Sequence, residues 1–385
     1  MPCGAVFSIS LICKSHTVNE ALKKTFFERT LVLARKGWGD THPNPMVGAV
    51  IVEDEKIVSE GYHKQAGSPH AEVEAIRGLG REPRESASIF VSLEPCSTIG
   101  RTPPCVQGIL DAGIKKVFVG TNDPNPLHSG RGIEMLRESG IQVEMATSEF
   151  QSKATRLNFI FNHNITTGHP LISLKLAESS NGMLTEVRGQ PSRVTEEQAR
   201  LDMMTWRRLF PAIALGSGTV LADNPSLTSR LQQKTFCPVR IVFDAKLSTF
   251  GDTVSPRDLY TDEFSSKTKV ITTSTGLSDK DSVSRANDLG IHLIHAKKDE
   301  DGRIDLSDLR EFLKDHDLNA LYCEGGAKIA ESLLNHNLVD YLFRYQSTKL
   351  FEGPNALASP DLDHFEIKDL ITQKLGEDIL THGFL

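Results

Sequence analysis

Two successive rounds of alternating strand-like and helix-like segments constrain this chain more than any other feature. In the first round, apolar residues at helical spacing run from Val18 to Lys36, with Gly37 as a stop. The β-rich stretches 47–52 and 56–62 then flank Glu53-Asp54-Glu55 as a hairpin. Short apolar runs at 89–92, 117–120 and 142–145 follow, separated by helices beginning near His70, Cys105 and Gly132. Such alternation predicts a sheet with helices packed on it. A polar helix-like stretch, 149–167, closes on Thr167-Gly168-His169-Pro170, and a strand at 171–176 restarts the pattern. Further strands are expected at 212–215, 239–243, 270–273, 291–294, 320–323 and 341–345, and helices over 196–208, 279–289, 306–315 and 327–335. The 385 residues therefore read as two α/β domains, 1–147 and 148–385, with 1–16 as an irregular start.

Charge and cysteine usage exclude several classes. With 43 basic against 50 acidic residues the chain carries −7, and no Lys/Arg stripe offsets it. A nucleic-acid backbone is therefore not the expected partner. No apolar run reaches the roughly 18 residues of a membrane span. The six cysteines, Cys3, Cys13, Cys96, Cys105, Cys237 and Cys323, are too widely spaced for a disulfide framework, which points to a reducing, cytoplasmic setting. The apolar stretch 5–13 lacks a basic region before it and reads as a ragged start in preference to a cleaved signal.

Cys96 and Cys105 acquire a meaning beside His70-Ala71-Glu72. Zinc takes thiolates and imidazole, and three protein ligands leave the fourth tetrahedral position to water. His70, Cys96 and Cys105 supply that set for one ion, and Cys105 opens a helix whose positive end favours a thiolate. Glu72, two residues past the histidine, is placed to shuttle protons without ligating. His-x-Glu followed by Pro-Cys and a second Cys is the signature of zinc deaminases. Here eight residues separate the thiolates instead of two. The alternatives are a structural zinc site, for which no fourth ligand lies nearby, and three unrelated residues.

In the second half, Glu324-Gly325-Gly326-Ala327-Lys328 joins a strand to a helix, and Gly216-Ser217-Gly218-Thr219 follows another strand. Glycines admit a close ligand and free helix amides bind phosphate, so a nucleotide cofactor suits both; a plain strand-to-helix turn suits them equally. Arg207 and Arg230 flank Asp223-Asn224-Pro225 as surface charges or as a sugar-phosphate clamp.

From about Asn19 onward the chain resembles the bifunctional riboflavin-biosynthesis deaminase/reductase family. The resemblance rests on Asn44-Pro45-Met46-Val47-Gly48-Ala49-Val50, His70-Ala71-Glu72, Glu94-Pro95-Cys96 with Arg101-Thr102-Pro103-Pro104-Cys105, Asp123-Pro124-Asn125-Pro126 and Gly130-Arg131-Gly132. The long gap ending in Thr-Pro-Pro-Cys is typical of that family. It implies an N-terminal cytidine-deaminase-like α/β/α domain and a C-terminal dihydrofolate-reductase-like α/β domain. The first would remove the 2-amino group of 2,5-diamino-6-(5-phosphoribosylamino)pyrimidin-4-one, with Asn44, His63, Arg101, Asp123 and Asn125 lining the pyrimidine and phosphate pocket.

The second would take a hydride from NADPH and open the ribosyl group to a ribityl chain. There the stretch from Thr219 to Thr228 and Glu324-Gly325-Gly326 carry the likeness. It places Ala177, Thr219, Asp223, Gly326, Ala327, Lys328, Ile329, Ala330, Glu331 and Ser332 at the cofactor. Arg207, Leu227, Arg230 and Glu324 fall at the substrate, and Lys175 at the reacting end. It also implies a homo-oligomer.

The chain departs from the family in three places. Asn181 replaces the Asp of Ser-x-Asp-Gly, Pro191 stands at a substrate-binding Ser, and Arg193 stands at a cofactor-facing Trp, where it is placed to meet a cofactor phosphate. Proline lacks both the hydroxyl and the N–H of that Ser. The second half thus reads either as a working reductase or as a non-catalytic binding or assembly module fused to a working deaminase. A nucleic-acid deaminase is the remaining alternative, disfavoured by charge and by the long cysteine gap.

Overall fold

The computed structural model describes residues 19–98, 103–231 and 235–385. The irregular start, Cys3, Cys13 and the candidate Arg101 lie outside the described residues. The chain splits into two compact units. One holds residues up to Gly37, Met46–Asp123 and Leu127–Leu157; the other holds Trp38–Pro45, Pro124–Pro126 and Asn158–Leu385.

The first unit is a five-stranded sheet between helices. Asn19 caps α1 (Glu20–Ala34), its side chain accepting the Ala21 N–H at 2.9 Å. The antiparallel hairpin β1 (Gly48–Glu53) and β2 (Lys56–Tyr62) turns through Asp54 and Glu55, whose φ values are 48° and 62°. Then follow α2 (Ala71–Leu79), β3 (Ser88–Val91), α3 (Cys105–Asp111), β4 (Lys116–Val119), α4 (Arg131–Glu138), β5 (Gln142–Met145) and α5 (Ser148–Leu157). Strand order is β2-β1-β3-β4-β5, with β3, β4 and β5 parallel. Alternate residues explain the layers. Ala49, Ile51, Ile89, Val91, Val117 and Val119 pack on Ala71, Ala75, Val106, Ile109, Ile133 and Leu136 of α2, α3 and α4. On the opposite face Phe90 stacks on Phe118 at 4.2 Å between ring centres and meets Phe26 of α1 at 5.2 Å.

The second unit has a nine-stranded sheet. In chain order its elements begin α6 (Phe159–Thr167), β6 (Leu171–Glu178), β7 (Met183–Thr185), α7 (Glu197–Leu209), β8 (Ala212–Gly216), α8 (Ser217–Asp223), β9 (Val239–Phe243), α9 (Asp258–Thr261) and β10 (Thr268–Thr272). They continue with α10 (Ser274–Ser278), α11 (Lys280–Asp288), β11 (His292–His295), α12 (Leu309–Asp315), β12 (Ala320–Cys323), α13 (Ala327–Asn335), β13 (Tyr341–Gln346), β14 (Leu357–Ala358), β15 (Lys368–Leu375) and β16 (Asp378–Phe384). The order is β11-β10-β9-β8-β12-β6-β13-β16-β15, parallel as far as β13 and antiparallel beyond; β7 and β14 form a separate pair. β12 lies between β8 and β6, so the carboxyl ends of three central parallel strands converge, the usual place for a ligand in an open α/β sheet.

Three features differ from the sequence expectation. The stretch 149–167 is two helices, broken at the buried Asn158, whose φ of −104° and ψ of 27° interrupt the spiral. Gly216 caps the short helix α8 where only a turn is expected; its seven residues bury Val220 alone, too little for a periodic signal. The β15–β16 hairpin had no sequence signal, because β15 is an edge strand whose side chains are mostly exposed and do not alternate. Among the described residues no helix is long and apolar enough to cross a membrane.

Candidate active sites

In the first unit, fold elements deliver three donor atoms to one point. His70 occupies the N-cap of α2, Cys105 is the first residue of α3, and Cys96 lies in the loop after β3. Their ligand atoms all fall within 4.8 Å of one another. His70 Nδ1 is the nitrogen that faces both sulfurs, 3.1 Å from Cys105 Sγ and 3.6 Å from Cys96 Sγ. One nitrogen and two sulfurs at this separation fit zinc with a fourth position left open.

The two sulfurs differ electrostatically: Cys96 favours the thiolate, whereas Cys105, despite its place at the helix start, does not. The Cys105 thiol donates to Cys96 and, against the effect of burial, with His70 and the Cys105 backbone N–H also donating, holds the Cys96 thiol down to about 4. Cys105, which keeps the shared proton beside that sulfur, is pushed upward. Glu72, 3% exposed, is raised to about 7 by burial and by the neighbouring Cys96 charge, against the opposing pull of His70. A buried carboxyl poised near neutrality can both take and return a proton.

Around this centre, His63 is buried, donates Nδ1–H to the Pro69 carbonyl at 3.2 Å and sets its ring edge-on to His70 at 5.4 Å. Burial, reinforced by the neighbouring His70, lowers its pKa. Asp123 lines a small cleft together with Glu94, Pro95, Cys96, Ser97, Thr98 and His128. Asn44 and Asn125 belong to the short segments grouped with the second unit. Sequence reasoning gave no role to Glu94 or His128. For Glu94 a signal existed, a carboxylate two residues before a metal ligand.

In the second unit, Glu324 follows β12 directly, its N–H donating to the Ala214 carbonyl of β8 at 2.8 Å. Its carboxylate receives Arg207 through Nε at 2.5 Å and Nη2 at 2.9 Å, and Lys175 Nζ stands 3.3 Å away. Burial disfavours the charge, yet the Arg207 and Lys175 cations outweigh it and hold Glu324 down to about 2. Arg207 Nη1 also donates to the Thr228 carbonyl at 3.2 Å, tying α7 to the loop that carries Leu227. That loop has a second anchor missed in the sequence: the fully buried Arg240 donates to the Ser226 carbonyl at 3.1 Å and to Asp262.

Lys175 and Ala177 share one half-buried face of β6. Thr219 meets Gly326, where an added Cβ would lie 3.2 Å from the threonine Oγ1; at Gly325 it would lie 2.6 Å from Ile329. A side chain at this strand-to-helix turn would crowd Ile329 and Thr219, and the amides of α13 behind it form a cradle that suits a cofactor phosphate. Along α13, Ala327, Ala330 and Ser332 are buried, Ile329 is half-buried, and Lys328 and Glu331 are exposed. Pro191, Arg193, Asp223 and Arg230 are exposed as well, so the more enclosed, half-buried grouping comprises Lys175, Arg207 and Glu324. Asn181 pairs with the Phe351 backbone in both directions, Nδ2 to the carbonyl at 2.8 Å and Oδ1 from the N–H at 3.2 Å. An aspartate there would lack the donor.

A thiolate-imidazole centre with a buried glutamate on one sheet, and a lysine-glutamate-arginine cluster beside a glycine cradle on another, define a two-domain enzyme that couples a zinc deaminase to a reductase. Residues 21–121 match the cytidine and deoxycytidylate deaminase zinc-binding region, and residues 170–381 match the RibD C-terminal domain. The chain is 37% identical over 367 residues to riboflavin biosynthesis protein RibD of Bacillus amyloliquefaciens, covering 93% of this chain and 95% of that one. To the Escherichia coli (strain K12) RibD it is 35% identical, covering 93% and 98%. Among solved structures it is similar to Acinetobacter baumannii RibD, with a TM-score of 0.75 and 29% identity over 95% of this chain and 99% of that one. A Thermotoga maritima diaminohydroxyphosphoribosylaminopyrimidine deaminase/5-amino-6-(5-phosphoribosylamino)uracil reductase gives a TM-score of 0.74 at 29% identity, covering 94% and 98%. The chain belongs to the RibD family, the bifunctional deaminase/reductases of riboflavin biosynthesis. Its folds are the cytidine-deaminase-like and RibD reductase folds, and its cofactors are zinc and NADPH.

Proposed function

We propose that this chain deaminates 2,5-diamino-6-(5-phosphoribosylamino)pyrimidin-4-one and then reduces the ribosyl group of the product to a ribityl chain, as a cytoplasmic homo-oligomer. The observation that carries the first step is the convergence of His70, Cys96 and Cys105 beside the buried Glu72. These three residues would hold zinc, which when bound supplies the Lewis acidity that makes water a nucleophile near neutral pH. Glu72 takes the proton that the attacking water loses and returns it to the ring nitrogen, then carries the second proton, from the hydroxyl formed at that carbon, to the amine as it departs as ammonia. Asn44, His63, Arg101, Asp123 and Asn125 orient the phosphorylated pyrimidine.

For the second step, NADPH supplies the hydride. Thr219 and Gly326 admit its phosphates to the helix amides, with Ala177, Asp223, Arg193 and the first turns of α13 alongside. Arg207, Leu227, Arg230 and Glu324 hold the sugar phosphate, with Pro191 at a further substrate-binding position. Lys175, paired with Glu324, protonates the opening ribosyl ring. The bidentate Arg207–Glu324 pair and its lysine support a working reductase over a bare assembly module.

Purified chain given the diaminopyrimidine should release one ammonia per substrate and carry about one zinc. The deaminated product should then oxidise NADPH. Absence of ammonia release would overturn the first activity; absence of both NADPH oxidation and NADPH binding by calorimetry would overturn the second.

A further inference from the structure

We propose that Glu94 is a positioning residue that locks the Cys96 ligand and the Asp123 loop into one register, an inference that rests on the deaminase reading of this unit. The side chain is 5% exposed and accepts four backbone N–H groups. Oε1 takes those of Gly132 at 2.9 Å and Ile133 at 3.3 Å. Oε2 takes those of Gly130 at 2.9 Å and Asp123 at 3.1 Å. The Glu94 N–H in turn donates to the Thr121 carbonyl at 2.8 Å. Two residues further on, Cys96 presents its sulfur to His70.

One carboxylate thus joins three pieces of chain that sequence separates. These are the loop carrying Cys96, the loop carrying Asp123, and the first turn of α4. The joint is short. At Gly132 an added Cβ would lie 2.1 Å from the Pro95 carbonyl oxygen, so the helix backbone touches the backbone next to the ligand with no side chain between them.

The chemistry requires an anion. Four donors converge, and an ionised carboxylate offers acceptor sites on both oxygens while carrying no hydrogen of its own. It also satisfies orphan amides and the positive end of α4 from inside the protein. Glutamine is nearly isosteric, but its NH₂ would confront two of the four donors. Because both carboxylate oxygens are already engaged, Glu94 acts on the reaction through Cys96 and Asp123 and not on the substrate.

The test is Glu94→Gln in the full-length chain. Partners that orient metal ligands typically change metal affinity or activity by about 10- to 100-fold when lost. Zinc affinity by chelator competition should fall about tenfold, and the ligand-field absorption of cobalt-loaded protein should shift. KM of the diaminopyrimidine should rise about tenfold with a smaller change in kcat, while the reductase on the same chain keeps its rate. Glu94→Asp, charged but one methylene too short to reach all four amides, should fall between wild type and Glu94→Gln. Wild-type zinc affinity, cobalt spectrum and KM in Glu94→Gln would overturn the proposal. If that variant does not fold, wild-type values in Glu94→Asp would overturn it. A wild-type chain that releases no ammonia would sink the deaminase reading instead, and the zinc and cobalt measurements would still decide the role of Glu94.

Discussion

In the first unit, three donor atoms spanning 35 positions, His70 to Cys105, gather with two sulfurs side by side, a nitrogen-sulfur set that zinc would complete. In the second, Glu324 reaches Arg207, 117 positions away, and Lys175, so its negative charge is already matched by protein cations. The first site is built to be completed by a metal; the second is closed by its own ion pairs. Each should therefore fail under a different stress, the deaminase under loss of zinc and the reductase under loss of a charge.

The largest effect is expected from Cys105→Ser. Zinc content should drop to near zero and ammonia release below detection, with NADPH oxidation retained, as elemental analysis and the two assays would report. Retained deamination would break the contrast between the two units. Glu72→Gln comes next. It should keep about one zinc per chain yet slow ammonia release by roughly 10²- to 10⁴-fold, the usual worth of a positioned general base.

Glu324→Gln sharpens the other side. Removing one partner of a buried pair costs about 3–5 kcal/mol, because Arg207 and Lys175 would keep uncompensated charges. Denaturant titration followed by the fluorescence of Trp38 and Trp206, both in the second unit, measures this. The same carboxyl predicts the acid response. Its folded pKa, about 2, lies below the ordinary 4.5, so its stabilisation is complete above about 4.5 and is lost as pH falls towards 2. The wild type should show that acid loss and Glu324→Gln should not. The smallest effect belongs to Asn181→Asp, which loses the donor to the Phe351 carbonyl and should destabilise the second unit by about 1 kcal/mol.

How far each half was legible follows from the same contrast. The zinc ligands and Glu72 show in the sequence because a metal demands fixed residue types, and helix and strand ends bring them together with few long-range unknowns. The strands β1, β3, β6, β8 and β12 show through their apolar runs. The Arg207–Glu324 pair does not, since nothing local distinguishes an arginine that will be buried from one on the surface. Glu94 is marked only by its place two residues before a ligand; its role stayed silent because its partners are main-chain amides, which carry no side-chain signature. Asn181 reads as damage in the sequence, whereas its amide makes two opposed bonds to the Phe351 backbone. The β15–β16 hairpin lacked alternation because one of its strands faces water.

That outer strand has a colloidal consequence. β15 ends the nine-stranded sheet and pairs on one side only among the described residues, with β16. An open row of amides is a template on which another polypeptide can grow. Lys368 and Lys374 near its two ends are gatekeepers, since a strand added there from a second copy would bring like charges into the same row. Behaviour in concentrated solution thus depends on a few ammonium groups at the sheet edge, and acetylating them would make this edge the first place where copies stick.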